Sequence, residues 1–447
     1  MSVRRGVYLS LLAAAMLWLA VPTAWAVDRL EEFNKAKRTL VQQLHSKQPS
    51  VRADALVRLQ EYPIADAVKF AQAALADEEG EVYEAARSTL LKMSGNQEVC
   101  DTLLASVRKN INRKDDAQYA APMLAVLLSS TLPSVQRETN EFLEKLCASK
   151  NGVGVAVGLA DDLGQHHAAT DVVPLERLSK TTIFADHFGI RRAVVQALTR
   201  IRTKEAIGAL IELMPKVGGE AQADAVEYLS QLTGQVFGME APAWKRWWGD
   251  VEATFTYPTR IAPAPYRSVA NNTAGSYYGM PLFAERLVFV LDTSGSMTGP
   301  RLAAAKRELV RAIASLPPHT QFSIIIFNGT VTTWQKELVP ATANWKDLAA
   351  HYVTVQEAHS ETATYDALET ALRFDTEAIY LLSDGAPRGG KIQAPVDIIA
   401  AITEANRTRR ISIYTIGVGA GVPGSPLDSF LKTLAEQNLG LYRRVDG

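Results

Sequence analysis

The stretch "LVFVLDTSGSM", residues 287–297, joins an apolar run to a loop of small and polar residues. An apolar run without polar alternation is typical of a strand that is buried on both faces of a parallel sheet. The loop places Ser294 and Ser296 just behind Asp292, where the strand reaches the surface. Such a loop could be a nucleophile loop, a phosphate loop, a metal site or an ordinary tight turn.

Three similar apolar runs follow along the chain, and helical patterns separate them. The runs are "QFSIIIF" at 321–327, "AIYLLSD" at 378–384 and "ISIYTIGVG" at 411–419. Buried strands that alternate with amphipathic helices predict a parallel sheet with helices on both faces. We therefore predict an α/β, doubly wound, Rossmann-like domain over residues 286–447.

The chain before this domain is predicted to be almost entirely helical, from residue 27 to residue 250. Four stretches share a small or turn residue, then Val or Ile, then apolar residues at helical spacing. They are residues 50–62, 80–93, 133–146 and 188–201. This pattern resembles HEAT-type repeats, and the alternative is a helical domain without repeats. Residues 251–285 are rich in proline and are predicted to be a linker, so the predicted fold is multidomain, all-α followed by α/β.

Residues 1–26 have the layout of a secretory signal peptide. Arg4 and Arg5 precede an apolar run, and the small-residue frame Ala24-Trp25-Ala26 follows it. We predict cleavage after Ala26, and an N-terminal membrane anchor is the alternative. No later segment is apolar for long enough to span a bilayer. The protein is therefore expected to be exported, to the periplasm or to the cell exterior.

Composition and charge narrow the classes of partner. With 47% hydrophobic and 21% charged residues, the chain has the composition of a soluble globular protein rather than a disordered or polytopic membrane protein. A formal net charge of −1 gives no reason to expect nucleic acid as a partner. Cys100 and Cys147 are the only cysteines. They could form a disulfide in an oxidising compartment, and two buried free thiols are the alternative.

Two of the predicted strands end in an aspartate, Asp292 and Asp384. This is the edge at which open α/β sheets bind ligands. Ser294 and Ser296 follow the first aspartate, and Ser383 precedes the second. Carboxylates and hydroxyls gathered at one edge are hard oxygen ligands, of the kind that suits Mg²⁺.

These residues resemble the metal-ion-dependent adhesion site of von Willebrand factor type A domains. "DTSGS" matches the family's Asp-x-Ser-x-Ser motif, "LLSDGAP" its fourth-strand aspartate and "SETATYDAL" its threonine. The resemblance implies Mg²⁺, or Mn²⁺ or Ca²⁺ in its place, bound by Asp292, Ser294, Ser296, Thr362 and Asp384. It also implies a protein partner that donates an aspartate or glutamate to the ion.

The sequence departs from this family at one place. Members often have two glycines before the threonine, and here Ser360 and Glu361 occupy those positions. The Glu361 carboxylate beside the ion could repel an incoming acid or favour a different geometry of the partner. Glu361 is therefore a candidate modulator of the site.

Enzymatic alternatives find little support in the sequence. It contains no Gly-x-Ser-x-Gly elbow and no His-Glu-x-x-His motif. The segment "IGVGAGVPGS" lacks the third glycine of a dinucleotide-binding loop and the lysine of a P-loop. We predict a non-enzymatic binding protein whose helical part is a scaffold or a second binding surface. The alternatives are an accessory factor in the assembly or maturation of an extracytoplasmic complex, and a hydrolase with an uncharacterised site.

Overall fold

The computed structural model describes residues 28–111, 117–149, 151–166, 169–258, 275–359, 361–419 and 422–445. The predicted signal peptide, Ser360 and part of the predicted linker lie outside these residues. Within the described ranges, no helix combines the length and the apolar character needed to cross a membrane. The chain divides between His166 and His167 into two compact units.

The first unit is built from helices, as predicted. Alternate helices pack side by side: Pro49–Leu59 lies against Gly80–Met93, and Ala117–Ser129 lies against Gly152–Gln165. Stacked helical hairpins produce this kind of packing, whereas the assignment to HEAT-type repeats stays a prediction. The helices cover residues 28–44, Pro49–Leu59, Ala65–Ala74, Gly80–Met93, Gln97–Asn110, Ala117–Ser129, Pro133–Lys145 and Gly152–Gln165.

The predicted disulfide involves one residue whose side chain is described and one whose side chain is not. Cys100 is buried in the helix Gln97–Asn110, where its Sγ donates to the carbonyl oxygen of Ser94 at 3.2 Å. The side chain of Cys147 lies outside the described residues. The pairing of the two cysteines therefore stays a prediction.

The second unit begins with helices and ends in a sheet. Among the described residues, the sheet has seven strands: β3 Arg286–Asp292, β4 Gln321–Phe327, β5 Val331–Thr333, β6 Val339–Pro340, β7 Ala378–Ser383, β8 Ser412–Val418 and β9 Tyr442–Val445. The central pairs β4–β3, β3–β7, β7–β8 and β8–β9 are parallel, and β5 and β6 run antiparallel to β4. The order of the strands across the sheet is β5-β4-β3-β7-β8-β9, with β6 beside β4. The leading helices are Val172–Leu178, Thr182–Asp186, Phe188–Arg200, Lys204–Val217, Gly219–Thr233 and Ala241–Val251.

Both faces of this sheet are covered by helices, which confirms the predicted doubly wound fold. Side chains of β3 alternate between two cores, because successive residues of a strand point to opposite faces. Leu287 and Phe289 join the core under the helices Pro300–Ser315 and Ala343–Thr354. Val288 joins the core on the other face. That core contains residues of the helices Thr364–Ala371, Pro395–Asn406 and Pro426–Gln437.

The four apolar runs of the sequence correspond to β3, β4, β7 and β8. The strands β5, β6 and β9 were not predicted because they are short and only partly buried, so they carry no apolar run. A small hairpin, β1 Ser276–Tyr277 with β2 Met280–Pro281, lies inside the predicted linker. Tyr277 and Met280 are buried in the core of the sheet domain, so this end of the linker is folded.

The helices Phe188–Arg200 and Gly219–Thr233 pack against the edge of the sheet where the parallel strands begin. Arg192 is 2% exposed and donates from Nη1 to the carbonyl oxygen of Arg410 at 2.9 Å and to Ser412 Oγ at 2.7 Å. The division at His166 therefore does not coincide with the predicted domain limit at residue 250. Buried polar contacts of this kind leave no periodic pattern in the sequence.

Candidate metal centre

Two buried carboxylates lie at the carboxyl-terminal ends of the parallel strands. The helices Phe188–Arg200 and Gly219–Thr233 pack at the other ends of these strands. Asp292 is the last residue of β3, and Asp384 directly follows β7. The two strands are parallel neighbours, and Leu291 pairs with Leu382 in their register. This register brings the two aspartates to the same point at the carboxyl-terminal ends of the strands.

Asp292 is fully buried and is held by hydrogen bonds from both sides. One carboxylate oxygen accepts from the backbone N–H of Ser294 at 2.8 Å, and the other accepts from the hydroxyl of Ser383. Burial raises the pKa of Asp292 to about 6, although the hydrogen bonds from Ser383 and Ser294 act to lower it. A buried carboxylate whose ionised form is costly gains from a cation placed next to it.

The hydroxyls of the three other predicted ligands converge beside Gly385. Ser294 Oγ and Ser296 Oγ are 3.1 Å apart. A Cβ atom added to Gly385 would lie 3.3 Å from Ser296 Oγ, 3.3 Å from Thr362 Oγ1 and 3.7 Å from Ser294 Oγ. The glycine therefore leaves open the space that these three oxygens surround.

Asp384 contributes its carboxylate to the same place. Its Oδ1 accepts from Ser296 Oγ at 2.7 Å, and its Oδ2 accepts from Arg301 Nη1 at 2.9 Å. A cavity of about 640 Å³ opens above these groups. Its lining residues are Ser294, Ser296, Glu361, Thr362, Asp384, Gly385, Ala386 and Arg388. All the predicted ligands except Asp292 thus line one cavity. Asp292 does not line the cavity, but it accepts a hydrogen bond from the backbone N–H of Ser294, which does.

The chemistry of this donor set fits a hard divalent cation. Among the described residues, no group of three or more His, Cys, Asp and Glu side chains is placed to hold a metal. The candidate site instead combines two carboxylates with three hydroxyls, all of them oxygen donors. Mg²⁺ prefers oxygen ligands and keeps several waters, which the open cavity can accommodate.

Glu361, the predicted modulator, lines the cavity and is exposed. A Cβ atom added to Gly389 would lie 3.0 Å from Glu361 Oε2, so this side chain rests on the loop that follows β7. The same loop is tied to Thr362, whose carbonyl oxygen accepts from the backbone N–H of Arg388 at 3.1 Å. Glu361 and Arg388 are therefore close to each other at the exposed rim of the cavity.

Sequence reasoning noted Ser383 without giving it a role in the site, and it missed Arg301. Ser383 donates to Asp292, and Arg301 pairs with Asp384. Ser383 stands beside Asp384 in the sequence, and this neighbour of a candidate ligand was the available signal. Arg301 lies in the first turn of the helix that follows the serine loop, so its short distance in sequence from Ser296 was a signal as well.

Residues 285–444 match the von Willebrand factor type A domain family. The chain is 31% identical over 174 residues to inter-alpha-trypsin inhibitor heavy chain H4 of Bos taurus, covering 36% of this chain and 18% of that protein. It is 29% identical over 176 residues to heavy chain H2 of Mesocricetus auratus, covering 36% and 18%. The chain thus spans about a fifth of the length of the curated relatives it matches.

Solved structures match over a similar share of the chain. A von Willebrand factor type A protein from Catenulispora acidiphila is 22% identical, covers 36% of this chain and 38% of its own, and has a TM-score of 0.31. An aerotolerance-related membrane protein from Bacteroides fragilis is 20% identical, covers 36% and 92%, and has a TM-score of 0.28. The family match spans the whole seven-stranded sheet except the end of β9. The C-terminal region of the chain is therefore a von Willebrand factor type A domain.

Proposed function

We propose that the type A domain binds a divalent cation and, through it, a carboxylate of a protein partner. The cation is Mg²⁺, or Mn²⁺ or Ca²⁺ in its place. Its ligands are Asp292, Ser294, Ser296, Thr362 and Asp384. When bound, the ion supplies a positive charge with a coordination position that an aspartate or glutamate of the partner can fill.

The observation that carries this proposal is the convergence of the hydroxyls of Ser294, Ser296 and Thr362 with Asp384 in one open cavity. An ordinary turn would not require a fully buried aspartate beneath three hydroxyls. Protein oxygens and water can complete five of the six positions of an octahedral ion. The cavity gives the sixth ligand access from solvent.

We propose that the protein is a binding protein rather than an enzyme. The residues that line the cavity include no histidine and no cysteine, so no nucleophile there is paired with an imidazole base. We further propose that the protein is exported, to the periplasm or cell exterior, and that the helical part serves as a scaffold or a second binding surface. The signal-peptide layout of residues 1–26 supports export.

Calorimetric titration of the EDTA-treated protein with Mg²⁺ tests the metal site. Wild type should bind one Mg²⁺, and Asp292→Ala should abolish binding, because it removes the carboxylate at the base of the site. Ser429→Ala, an exposed serine on the helix Pro426–Gln437, is the control and should bind like wild type. Equal binding by wild type and Asp292→Ala would place the ion elsewhere.

A pull-down from an extracytoplasmic extract tests the shared-ion mechanism. A partner should be retained in Mg²⁺ and released by EDTA, and Asp292→Ala should retain none. A partner that stays bound in EDTA, and binds Asp292→Ala equally well, would show that the ion does not join the two proteins.

A further inference from the structure

The candidate site contains a positive charge that the ligand set does not include. Arg301 donates from Nη1 to Asp384 Oδ2 at 2.9 Å, and the same nitrogen lies 3.4 Å from the carbonyl oxygen of Ser296. The Asp384 side chain is 0% exposed and the Arg301 side chain is 40% exposed. The guanidinium thus approaches a buried candidate ligand from the solvent side.

A second element holds this guanidinium in place. A Cβ atom added to Gly419, which follows β8, would lie 3.2 Å from Arg301 Cζ, Nε and Nη2 alike. The face of the guanidinium therefore lies against the glycine backbone. Gly419 also has a φ of +59°, a conformation that other residues rarely adopt, so a larger residue is excluded there for two reasons. Arg301 is consequently fixed between Gly419 and Asp384.

Arg301 changes the charge that a cation meets. Asp292 and Asp384 are two negative charges, and Arg301 offsets one of them, leaving a single negative charge. At the rim, the exposed Glu361 and Arg388 have opposite formal charges and cancel. A divalent cation in this site keeps one net positive charge, which a carboxylate from outside would neutralise. Interactions of this kind are strong in a partly buried site.

We infer that Arg301 is a positioning residue that couples cation binding to carboxylate binding. By pairing with Asp384, it makes the site bind a divalent cation weakly alone and tightly in the presence of an external carboxylate. By reciprocity, the carboxylate then binds well only when the cation is present. The inference rests on the proposed function, since it requires that the site binds a cation.

Titration of the full-length protein with Mn²⁺, followed by the electron paramagnetic resonance of free Mn²⁺, tests this coupling with acetate as the carboxylate probe. In wild type, acetate should tighten Mn²⁺ binding about tenfold. Arg301→Gln should bind Mn²⁺ alone about tenfold more tightly than wild type, because Asp384 regains its full charge. In that variant, acetate should change the affinity by less than about twofold.

Two further variants separate charge from side-chain support. Arg301→Lys keeps the positive charge and should retain the effect of acetate. Arg307→Gln, an exposed arginine on the same helix, should match wild type. Unchanged or weaker Mn²⁺ binding by a folded Arg301→Gln, or loss of the acetate effect in Arg301→Lys, overturns the inference alone. A wild type that binds no Mn²⁺ with or without acetate overturns the proposed metal site as well.

Discussion

The candidate site depends on residue 385 being a glycine, which has no side chain. Gly385 directly follows Asp384, and a methyl group there would approach the hydroxyls of Ser296 and Thr362 to 3.3 Å. That distance is tight for a carbon atom, so the hydroxyls would have to move away from the place they share. Gly385 has no positive φ, so its conformation does not demand glycine. Glycine is needed at position 385 because a larger residue would fill the space between the hydroxyls of Ser296 and Thr362.

Gly385→Ala is therefore expected to weaken Mg²⁺ binding while leaving the fold intact. We expect a loss of about tenfold, or about 1.4 kcal/mol, because the methyl group displaces the hydroxyl ligands. Calorimetric titration measures the affinity, and the far-ultraviolet circular dichroism spectrum should not change. Gly249→Ala is the control, since an added Cβ there has no heavy atom within 4 Å. Wild-type affinity in Gly385→Ala would show that the ion does not occupy this space.

The residues of the candidate site that could be predicted from the sequence are those that belong to a motif, because the members of a motif follow each other in a fixed order. Asp292, Ser294 and Ser296 stand in one short segment at a strand end, and Asp384 stands at another. Neighbouring parallel strands bring such ends together. The role of Arg301 could not be predicted, because it depends on the direction of a long side chain and on the backbone of Gly419.

Among the elements, the pair of helices Phe188–Arg200 and Gly219–Thr233 is the least expected. Arg192 on the first helix pairs with Asp224 on the second, through Nε at 2.7 Å and Nη2 at 2.9 Å. Glu220 reaches the sheet, where its Oε2 accepts from Tyr414 OH at 2.8 Å and from Ser412 Oγ at 3.1 Å. Each helix therefore brings a buried charged residue to the beginning of β8.

The state of Glu220 should make this packing depend on pH. The pKa of Glu220 is raised to about 7, mainly by burial and to a smaller extent by the nearby Asp224 and Glu377, although Arg192 and the hydrogen bond from Tyr414 act to lower it. Because the pKa in the folded protein lies above the unfolded value near 4.5, the protonated form favours folding. Its contribution is complete below pH 4.5 and is lost as the pH rises through 7.

Glu220→Gln replaces the carboxyl with an amide that stays neutral at every pH, so the variant should gain stability relative to wild type as the pH rises from about 4.5 to 8. The gain in the free energy of unfolding should reach at most about 3 kcal/mol. Urea unfolding at pH 5 and pH 8 measures it. Glu436→Gln, on an exposed helix surface, is the control. A constant difference between Glu220→Gln and wild type across this range would contradict the titration of Glu220.

For the whole molecule, periodicity in the sequence predicted the succession of an all-helical part and an α/β part. Helical spacing and unbroken apolar strands extend over many residues, so local errors do not hide them. The division between His166 and His167 was not predicted. It depends on single buried contacts, such as those of Arg192 and Glu220 with β8, between segments that are far apart in the sequence.

This division permits a test of where Mg²⁺ acts. Trp18 and Trp25 lie in the predicted signal peptide, and every other tryptophan lies in the second unit. Mg²⁺ at one hundred times its dissociation constant stabilises the binding unit by about 2.7 kcal/mol. The thermal transition seen by tryptophan fluorescence should therefore rise by about 5 °C. The thermal unfolding of the helices of the first unit, followed by circular dichroism, should keep the same midpoint temperature.

Asp292→Ala is the control for this experiment and should show no shift with Mg²⁺. A shift of the same size in both transitions of wild type would indicate that the two units unfold together. No shift in either transition would contradict Mg²⁺ binding to the native protein.

The candidate metal site lies where the parallel strands β3 and β7 end. The helices Phe188–Arg200 and Gly219–Thr233 lie where the parallel strands begin, so the strands β3, β7 and β8 run from the helices towards the site. A partner held at the site and an anchor on the helices would pull along the strand direction. The hydrogen bonds that join β3 to β4 and β7 would then be loaded together in shear, not opened one after another. A force along the strands would therefore be shared by all the hydrogen bonds of these two ladders at once.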